Sequence, residues 1–149
     1  MKKYEIKARE NLNLITIRNI SEFLSRITNF LETNDMSIVT CNTKPSKLTD
    51  IIITAPDDSI SKISCVFKSL SSPRSIITIR SGVCCLSITS IGPSIKIVGL
   101  ITRYFDRQNI CIERIITTEN EVLIFFPASE VCGCLNKFIN DFENYLQTY

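Results

Sequence analysis

The chain has 149 residues, with 17 basic and 15 acidic side chains and a formal net charge of +2. Its lysines and arginines are scattered, which argues against a nucleic-acid-binding protein, because such a protein needs a clustered basic face. The sequence has no apolar run of about 18 residues and no apolar stretch near its N-terminus, so we expect neither a membrane span nor a secretion signal. The expected location is the cytoplasm.

The first half of the chain predicts strand, helix, strand, strand, helix and strand. The segment LNLITIR alternates like a half-buried strand, with Leu12, Leu14 and Thr16 on one face. Ser21 is a suitable N-cap for the first helix, and Glu22 places a carboxylate in its first turn. The predicted strands are 12–18, 36–42, 48–54 and 75–80, and the predicted helices are 21–33 and 56–70.

A hydrophobic pattern in this half occurs a second time. Six apolar residues, Phe23, Leu24, Ile27, Leu31, Met36 and Ile38, recur as apolar residues 74 positions later, at Ile97, Val98, Ile101, Phe105, Ile110 and Ile112. Their spacing indicates the buried stripe of a helix followed by a strand. The second half therefore predicts strands at 83–89, 110–117 and 121–126, a helix ending near Gln108 and a last helix at 129–145.

The second copy has no fourth strand of its own, because only a few residues follow its last helix. A bare sheet edge would invite mispairing, and Tyr4–Ala8 has the right length to fill the gap. We therefore expect a first module at 12–80 that is inserted into a second module made of 3–10 and 82–149. Each module would be βαββαβ, two helices on an antiparallel sheet.

Seven cysteines and no histidine argue against metal and nucleophilic chemistry. Cys84 and Cys85 are adjacent, and one residue separates Cys132 from Cys134 where a zinc knuckle has two. We expect reduced cysteines that serve as small apolar residues, with no bound metal and no cofactor. Neither a carboxylate pair nor a serine or cysteine beside a base is apparent, so no catalytic residue is assigned.

Three segments, IKARENLNLITIR, FLSRITNFLETNDMSIV and IKIVGLITRYFDRQNICIERI, resemble the tandem ACT domains of the regulatory region of aspartate kinase. The resemblance implies an α+β fold of two interleaved ferredoxin-like ACT modules. It also implies an amino-acid effector such as lysine or threonine, a homodimer formed through ACT modules, and allosteric control of an aspartate kinase catalytic subunit. Nothing in the chain resembles the kinase portion with its phosphate-binding segment, so we expect no enzyme activity.

The family motif also indicates where an effector would bind. Family members often carry a Pro-Gly or Arg-Gly pair between the first strand and helix, and an aspartate on the second strand. Here these places hold Ser21, Glu22 and Phe23, and Val39. The helix N-terminus offers N–H groups for a carboxylate, and polar groups on the second strand would meet an ammonium group. The expected effector site is Ser21, Glu22, Phe23, Ile38, Val39, Thr40 and Asn42.

Two alternatives remain open. One is a structural ACT assembly module that has lost effector binding, in which case Ser21 only caps a helix. The other is the C-terminal part of a truncated aspartate kinase. A second polar cluster, less favoured as a site, comprises Lys96, Thr117, Thr118 and Asn120.

Overall fold

The computed structural model describes residues 3–20, 24–34, 36–43, 45, 49–63, 65, 76–90, 97–131 and 134–148. The chain divides into two compact units. The central unit comprises Leu12–Ser81, and the flanking unit comprises Met1–Asn11 together with Gly82–Tyr149. The names central and flanking refer only to the positions of the two units along the chain.

The chain folds into six strands and three helices among the described residues, and the predicted α+β class is confirmed. The strands are β1 (Tyr4–Ile20), β2 (Ser37–Thr43), β3 (Thr49–Ala55), β4 (Ile76–Ser90), β5 (Arg114–Thr117) and β6 (Glu121–Pro127). The helices are α1 (Leu24–Thr33), α2 (Ile97–Arg107) and α3 (Leu135–Thr148), with 3-10 turns at Asp57–Ser59 and Ala128–Val131. The strands are hydrogen-bonded in the order β2-β3-β1-β4-β6-β5. No helix in the described part of the chain is long and apolar enough to cross a membrane.

Two strands are longer than the sequence predicts. β1 joins the predicted segments 4–8 and 12–18, and β4 joins the predicted strands 75–80 and 83–89, so the predicted interruptions are wrong. Asn11, with φ of 54°, and Gly82, with φ of 65°, lie where the chain passes between the units. A left-handed residue bends a strand locally without ending it, which explains why both strands continue.

The predicted strand 110–117 is too long at its start, because its first residues complete the end of α2. The Ile110 N–H donates to the Phe105 carbonyl at 3.0 Å, and Asn109 has φ of 56°. This is a Schellman motif, in which the residue after the helix satisfies a carbonyl of its last turn. β5 therefore begins only at Arg114.

Other boundaries differ less. β2 and β3 each lie one residue later than predicted. The predicted helix 129–145 is a 3-10 turn at Ala128–Val131 followed by α3, which continues to Thr148. After the 3-10 turn at Asp57–Ser59, the structure describes helical residues at 60–63 and 65, and the rest of the predicted helix lies outside the described residues.

The internal repeat is visible in the hydrogen bonds that end the first helix of each copy. The Met36 N–H donates to the Leu31 carbonyl at 3.0 Å, as the Ile110 N–H does to Phe105 at the same distance. Leu31 and Phe105 are both almost fully buried. The two copies therefore share this closing hydrogen bond, 74 positions apart.

The strands before these helices repeat at a shorter distance. Core residues Ile15 and Ile17 pair with Ile53 and Ile51, and their equivalents Leu86 and Ile88, 71 positions later, pair with Ile124 and Val122. The connection from strand to helix is therefore three residues longer in the second copy, where it spans 91–96 against 21–23 in the first. The last repeated pair is not equivalent, because Ile38 lies in β2 whereas Ile112 precedes β5.

The core of the central unit lies on the face of β1 opposite to the predicted one. Ile15 and Ile17, not Leu12 and Leu14, belong to the main cluster, which among the described residues comprises Ile15, Ile17, Leu31, Met36, Ile51, Ile53, Ala55 and Ile63. Leu12 and Leu14 are also buried, so both faces of this strand avoid solvent. Because apolar residues of LNLITIR are buried on both faces of the strand, the alternation could not identify the face that packs against the main cluster.

The N-terminal part of β1 packs with the flanking unit. Tyr4 and Ile6 contact a core cluster rich in aromatic residues, including Tyr104, Phe105, Phe126, Phe138 and Phe142. The Lys3 N–H donates to Oε1 of Gln147 at 2.8 Å, and Nε2 of Gln147 donates to the Tyr4 carbonyl at 3.2 Å. The Gln147 amide thus binds the strand backbone as a peptide group of a neighbouring strand would.

Two glycine substitutions test the left-handed conformation at Gly82. A Cβ added at Gly82 or at Gly99 meets no heavy atom within 4 Å, but only Gly82 has a positive φ. Gly82→Ala should lower the free energy of unfolding by about 1 to 2 kcal/mol, because side chains disfavour this conformation. Gly99→Ala, within α2, should raise it by about 0.5 to 1 kcal/mol. Urea unfolding measures both, and a neutral Gly82→Ala would show that this conformation is not required.

Burial should also protect one thiol from modification. Burial raises the pKa of Cys85 to about 11, against a smaller lowering by Arg9 and a raising by Glu121. Because the thiolate is the reactive form, iodoacetamide at pH 8 should modify exposed Cys41 and Cys111 well before Cys85. Because the Cys85 pKa is raised in the folded protein, the contribution of this thiol to the free energy of unfolding is complete below pH 9 and is lost as the pH rises toward 11. Mass spectrometry after timed alkylation would contradict this account if native Cys85 reacted as fast as Cys41.

Candidate functional site

Four of the predicted site residues lie on β2. Ile38, Val39, Thr40 and Asn42 belong to this strand, which pairs with β3 and stands at one end of the strand order. The remaining three predicted residues, Ser21, Glu22 and Phe23, lie outside the described residues.

A bulge in β2 divides the predicted set between two faces. The register of β2 on β3 shifts between Ile38, opposite Ile53, and Thr40, opposite Ile52, which leaves Val39 as the extra residue. Ile53 belongs to the central core cluster, whereas Ile52 points to the opposite face. Ile38 is 39% exposed. Without the bulge, Ile38 and Thr40 would share a face, so the sequence pattern alone does not separate them.

A second bulge lies in β1, on the other side of β3. The register shifts between Ile17, opposite Ile51, and Ile20, opposite Thr49. The intervening Asn19 has φ of 61°, and its N–H donates to Oδ1 of Asp50 at 3.0 Å. The carboxylate of Asp50 therefore accepts a hydrogen bond from the backbone near the end of β1, just before the predicted site residues 21–23.

Asp50 completes a polar group that we call the bulge cluster: Asn19, Thr40, Asn42 and Asp50. Asn42 is directly opposite Asp50 across β2 and β3, so both side chains lie on the same face as Thr40. Thr40 and Asp50 are half-buried, and Asn42 is exposed. The cluster offers carboxylate, amide and hydroxyl oxygens, which are acceptors suited to an ammonium group.

Sequence reasoning missed Asp50, although a signal was present. Aspartate is depleted in strands, and Asp50 stands at the start of the buried run Ile51–Ile53. It is also the only acidic residue of the central unit that falls within the strand ranges given above. The described contact of its carboxylate is the hydrogen bond that it accepts from the Asn19 N–H.

In the second predicted polar cluster, which lies in the flanking unit, Thr118 and Asn120 form hydrogen bonds within a turn. Thr118 N–H donates to the Glu121 carbonyl at 2.8 Å, the Asn120 carbonyl accepts from Ser90 N–H at 3.1 Å, and the Ser87 hydroxyl donates to the Glu121 carboxylate. The β4–β6 and β5–β6 pairs keep one register throughout. Lys96 lies outside the described residues. These contacts favour the central unit as the site.

A buried amide at the other end of β3 has a structural role. Nδ2 of Asn13 donates to the Ala55 carbonyl at 3.0 Å and to Oδ1 of Asp57 at 2.7 Å. These bonds tie the start of the central part of β1 to the 3-10 turn after β3. Among the described residues, no group of three or more histidine, cysteine, aspartate or glutamate side chains is arranged to hold a metal ion.

No protein-family model and no curated protein sequence matches this chain. Solved structures do match, at low sequence identity. Aspartate kinase from Clostridium acetobutylicum matches with a TM-score of 0.70 and 18% identity over 94% of this chain and 34% of its own. The ligand-free regulatory subunit of aspartate kinase from Thermus thermophilus matches with a TM-score of 0.62 and 12% identity, over 91% of this chain and 95% of its own.

A third similar structure is Escherichia coli aspartokinase III in complex with lysine and aspartate, with a TM-score of 0.58 and 12% identity, over 99% of this chain and 32% of its own. The chain thus spans about a third of the complete kinases and nearly all of the regulatory subunit. It has the fold of these aspartate kinase regulatory regions, and the structural resemblance predicted from the sequence is confirmed.

Proposed function

We propose that this chain is an amino-acid-sensing regulatory domain or subunit of the aspartate kinase type, built from two ACT modules with boundaries at 12–80 and at 3–10 plus 82–149. The observation that carries the proposal is its match to nearly the whole length of a separate regulatory subunit. Its expected place is the cytoplasm, where amino acids are made.

The central unit is the proposed effector-binding module. The register shift in β1 lies opposite the start of β3, at the end of β1 that leads toward α1, and the register shift in β2 lies opposite the middle of β3. Bulges are enriched beside functional sites, where they redirect side chains. In this proposal the N–H groups at Ser21–Phe23 bind the effector carboxylate, and β2 residues from Ile38 to Asn42 line the site.

Regulation would follow from differential binding. An effector that binds one arrangement of the ACT modules more tightly than another shifts the population toward that arrangement. The equilibrium constant between the two arrangements changes by at most the ratio of the two affinities. A kinase partner, in a separate chain or in the same one, would respond to this shift. The chain itself is proposed to be non-catalytic.

Two other readings are distinguishable. A structural assembly module would have the same fold and bind no amino acid, so the binding experiment below separates it. A C-terminal piece of a longer kinase would be preceded by a catalytic segment, which the upstream reading frame would reveal. The lysine-bound kinase among the similar structures favours effector sensing.

The chain is expected to be a dimer. β2 and β5 stand at the two ends of the strand order, and unpaired strand edges are usually covered by association or other means. Sedimentation equilibrium at micromolar concentration should give twice the monomer mass. A monomer over the whole concentration range would contradict this part of the proposal.

Lysine should bind more tightly than threonine. Glu22, next to the proposed carboxylate site, would repel an effector carboxylate and attract the side-chain ammonium of lysine. Because a partly exposed ion pair contributes about 0.2 to 1 kcal/mol, Glu22→Gln should weaken lysine binding relative to threonine binding by up to roughly fivefold. Titration calorimetry measures both affinities.

The matched control is Glu32→Gln, which removes the same charge from an exposed position on α1. It should alter neither affinity. If neither lysine nor threonine binds to the unmodified protein at millimolar concentration, effector sensing is wrong and the assembly module is the better reading.

A further inference from the structure

We infer that residues 3–10 form a detachable strand, which Gln147 latches onto the flanking unit and which the same segment of a second copy can replace. This segment, here called the latched strand, lies in the first half of β1 and ends just before Asn11, where the N-terminal part of the flanking unit ends. Its detachment is independent of effector binding and goes beyond the proposed function.

The latched strand is attached through few buried side chains. Tyr4 and Ile6 are half-buried and pack on the aromatic core cluster, and the other residues from Lys3 to Asn11 are exposed. In contrast, every residue from Leu12 to Ile15 is buried. Segments with few buried apolar contacts open at a lower free energy than the core does, so residues 3–10 should open before the rest of β1.

The backbone of the latched strand has a strand neighbour on one side. β4 is next to β1 in the strand order, and the described pairing of β1 with β3 begins only at Asn13. The ion pair between Lys7 and Glu5, at 3.8 Å, joins two exposed side chains within the latched strand and does not attach it to the unit. The left-handed residue Asn11 therefore separates a loosely held half of β1 from a tightly held one.

Gln147, near the end of α3, supplies the latch. Its Oε1 accepts the Lys3 N–H at 2.8 Å, and its Nε2 donates to the Tyr4 carbonyl at 3.2 Å. Each such bond contributes little net stability, and both are lost together when the strand leaves. Because both bonds are made to backbone, the latch recognises an extended chain, and the apolar side chains of Tyr4 and Ile6 supply the specificity.

These contacts do not require that the strand and its receiving surface belong to one chain. Gln147 and the aromatic cluster both lie in the part of the flanking unit that follows Gly82, beyond the whole central unit in sequence. Exchange of an identical element between copies preserves such contacts and is a low-cost route to a dimer. The place that one latched strand leaves therefore fits the latched strand of a second copy.

Hydrogen exchange measures the opening of the latched strand. Gln147→Ala should speed exchange of the protected backbone amides at 5–10 by at least about fivefold, as expected for the loss of two weak hydrogen bonds, and leave those at 12–17 unchanged. Asn144→Ala shortens an exposed side chain on the same helix and should change neither set. Equal exchange of the two halves of β1 in the unmodified protein, or no effect of Gln147→Ala, would overturn the latch.

A labelled peptide of residues 3–11 tests replacement by a second copy. The full chain with Tyr4→Ser and Ile6→Ser weakens its own strand and keeps the receiving residues intact. By fluorescence anisotropy it should bind the natural peptide at least about tenfold more tightly than a peptide with the same two serines, because the natural peptide buries apolar surface. If the double variant does not fold, Ile6→Ser alone gives the same comparison. Equal affinity for the two peptides, or no binding by a folded variant, would overturn the replacement.

Discussion

The register of β3 between its two neighbours is the constraint on which the central unit depends. Ile51 and Ile53 are fully buried, and each is fixed opposite a partner on β1, Ile17 and Ile15. A shift of one residue would turn both isoleucines out of the core, so neither bulge can be accommodated by moving β3. The extra residues at Asn19 and Val39 must therefore protrude from β1 and β2, which concentrates irregular backbone and polar groups around Asp50.

The two copies of the repeat share their core pairing and differ in the regularity of their described strands. Both use equivalent apolar pairs between their inner strands, and both have the same closing hydrogen bond at the end of their first helix. They differ in their described strand pairs, because β4–β6 and β5–β6 keep one register whereas β1–β3 and β2–β3 each contain a bulge. The core of the flanking unit is also rich in aromatic rings. The proposed effector site is assigned to the copy whose described strand pairs contain the bulges.

The sequence was sufficient for the α+β class, for most elements and for the repeat, because these follow from local hydrophobic spacing. It was insufficient where a single residue in a left-handed conformation or at a bulge changed the course of a strand. Asn11 and Gly82 do not look like strand residues, so the continuity of β1 and β4 was missed. Val39 looks like an ordinary strand residue, so the bulge that separates Ile38 from Thr40 was missed too. Asp50 became meaningful only when pairing placed it beside Asn19 and Asn42.

Hydrogen exchange with and without lysine tests the site in the central unit most directly. The account predicts slower exchange on lysine binding for backbone amides at Ile17–Ile20 and Thr49–Ile52, where the bulge cluster would be held by the effector. It predicts no comparable change for the regular strands β5 and β6. Protection confined to the flanking unit, or no protection at a lysine concentration that saturates binding, would contradict it.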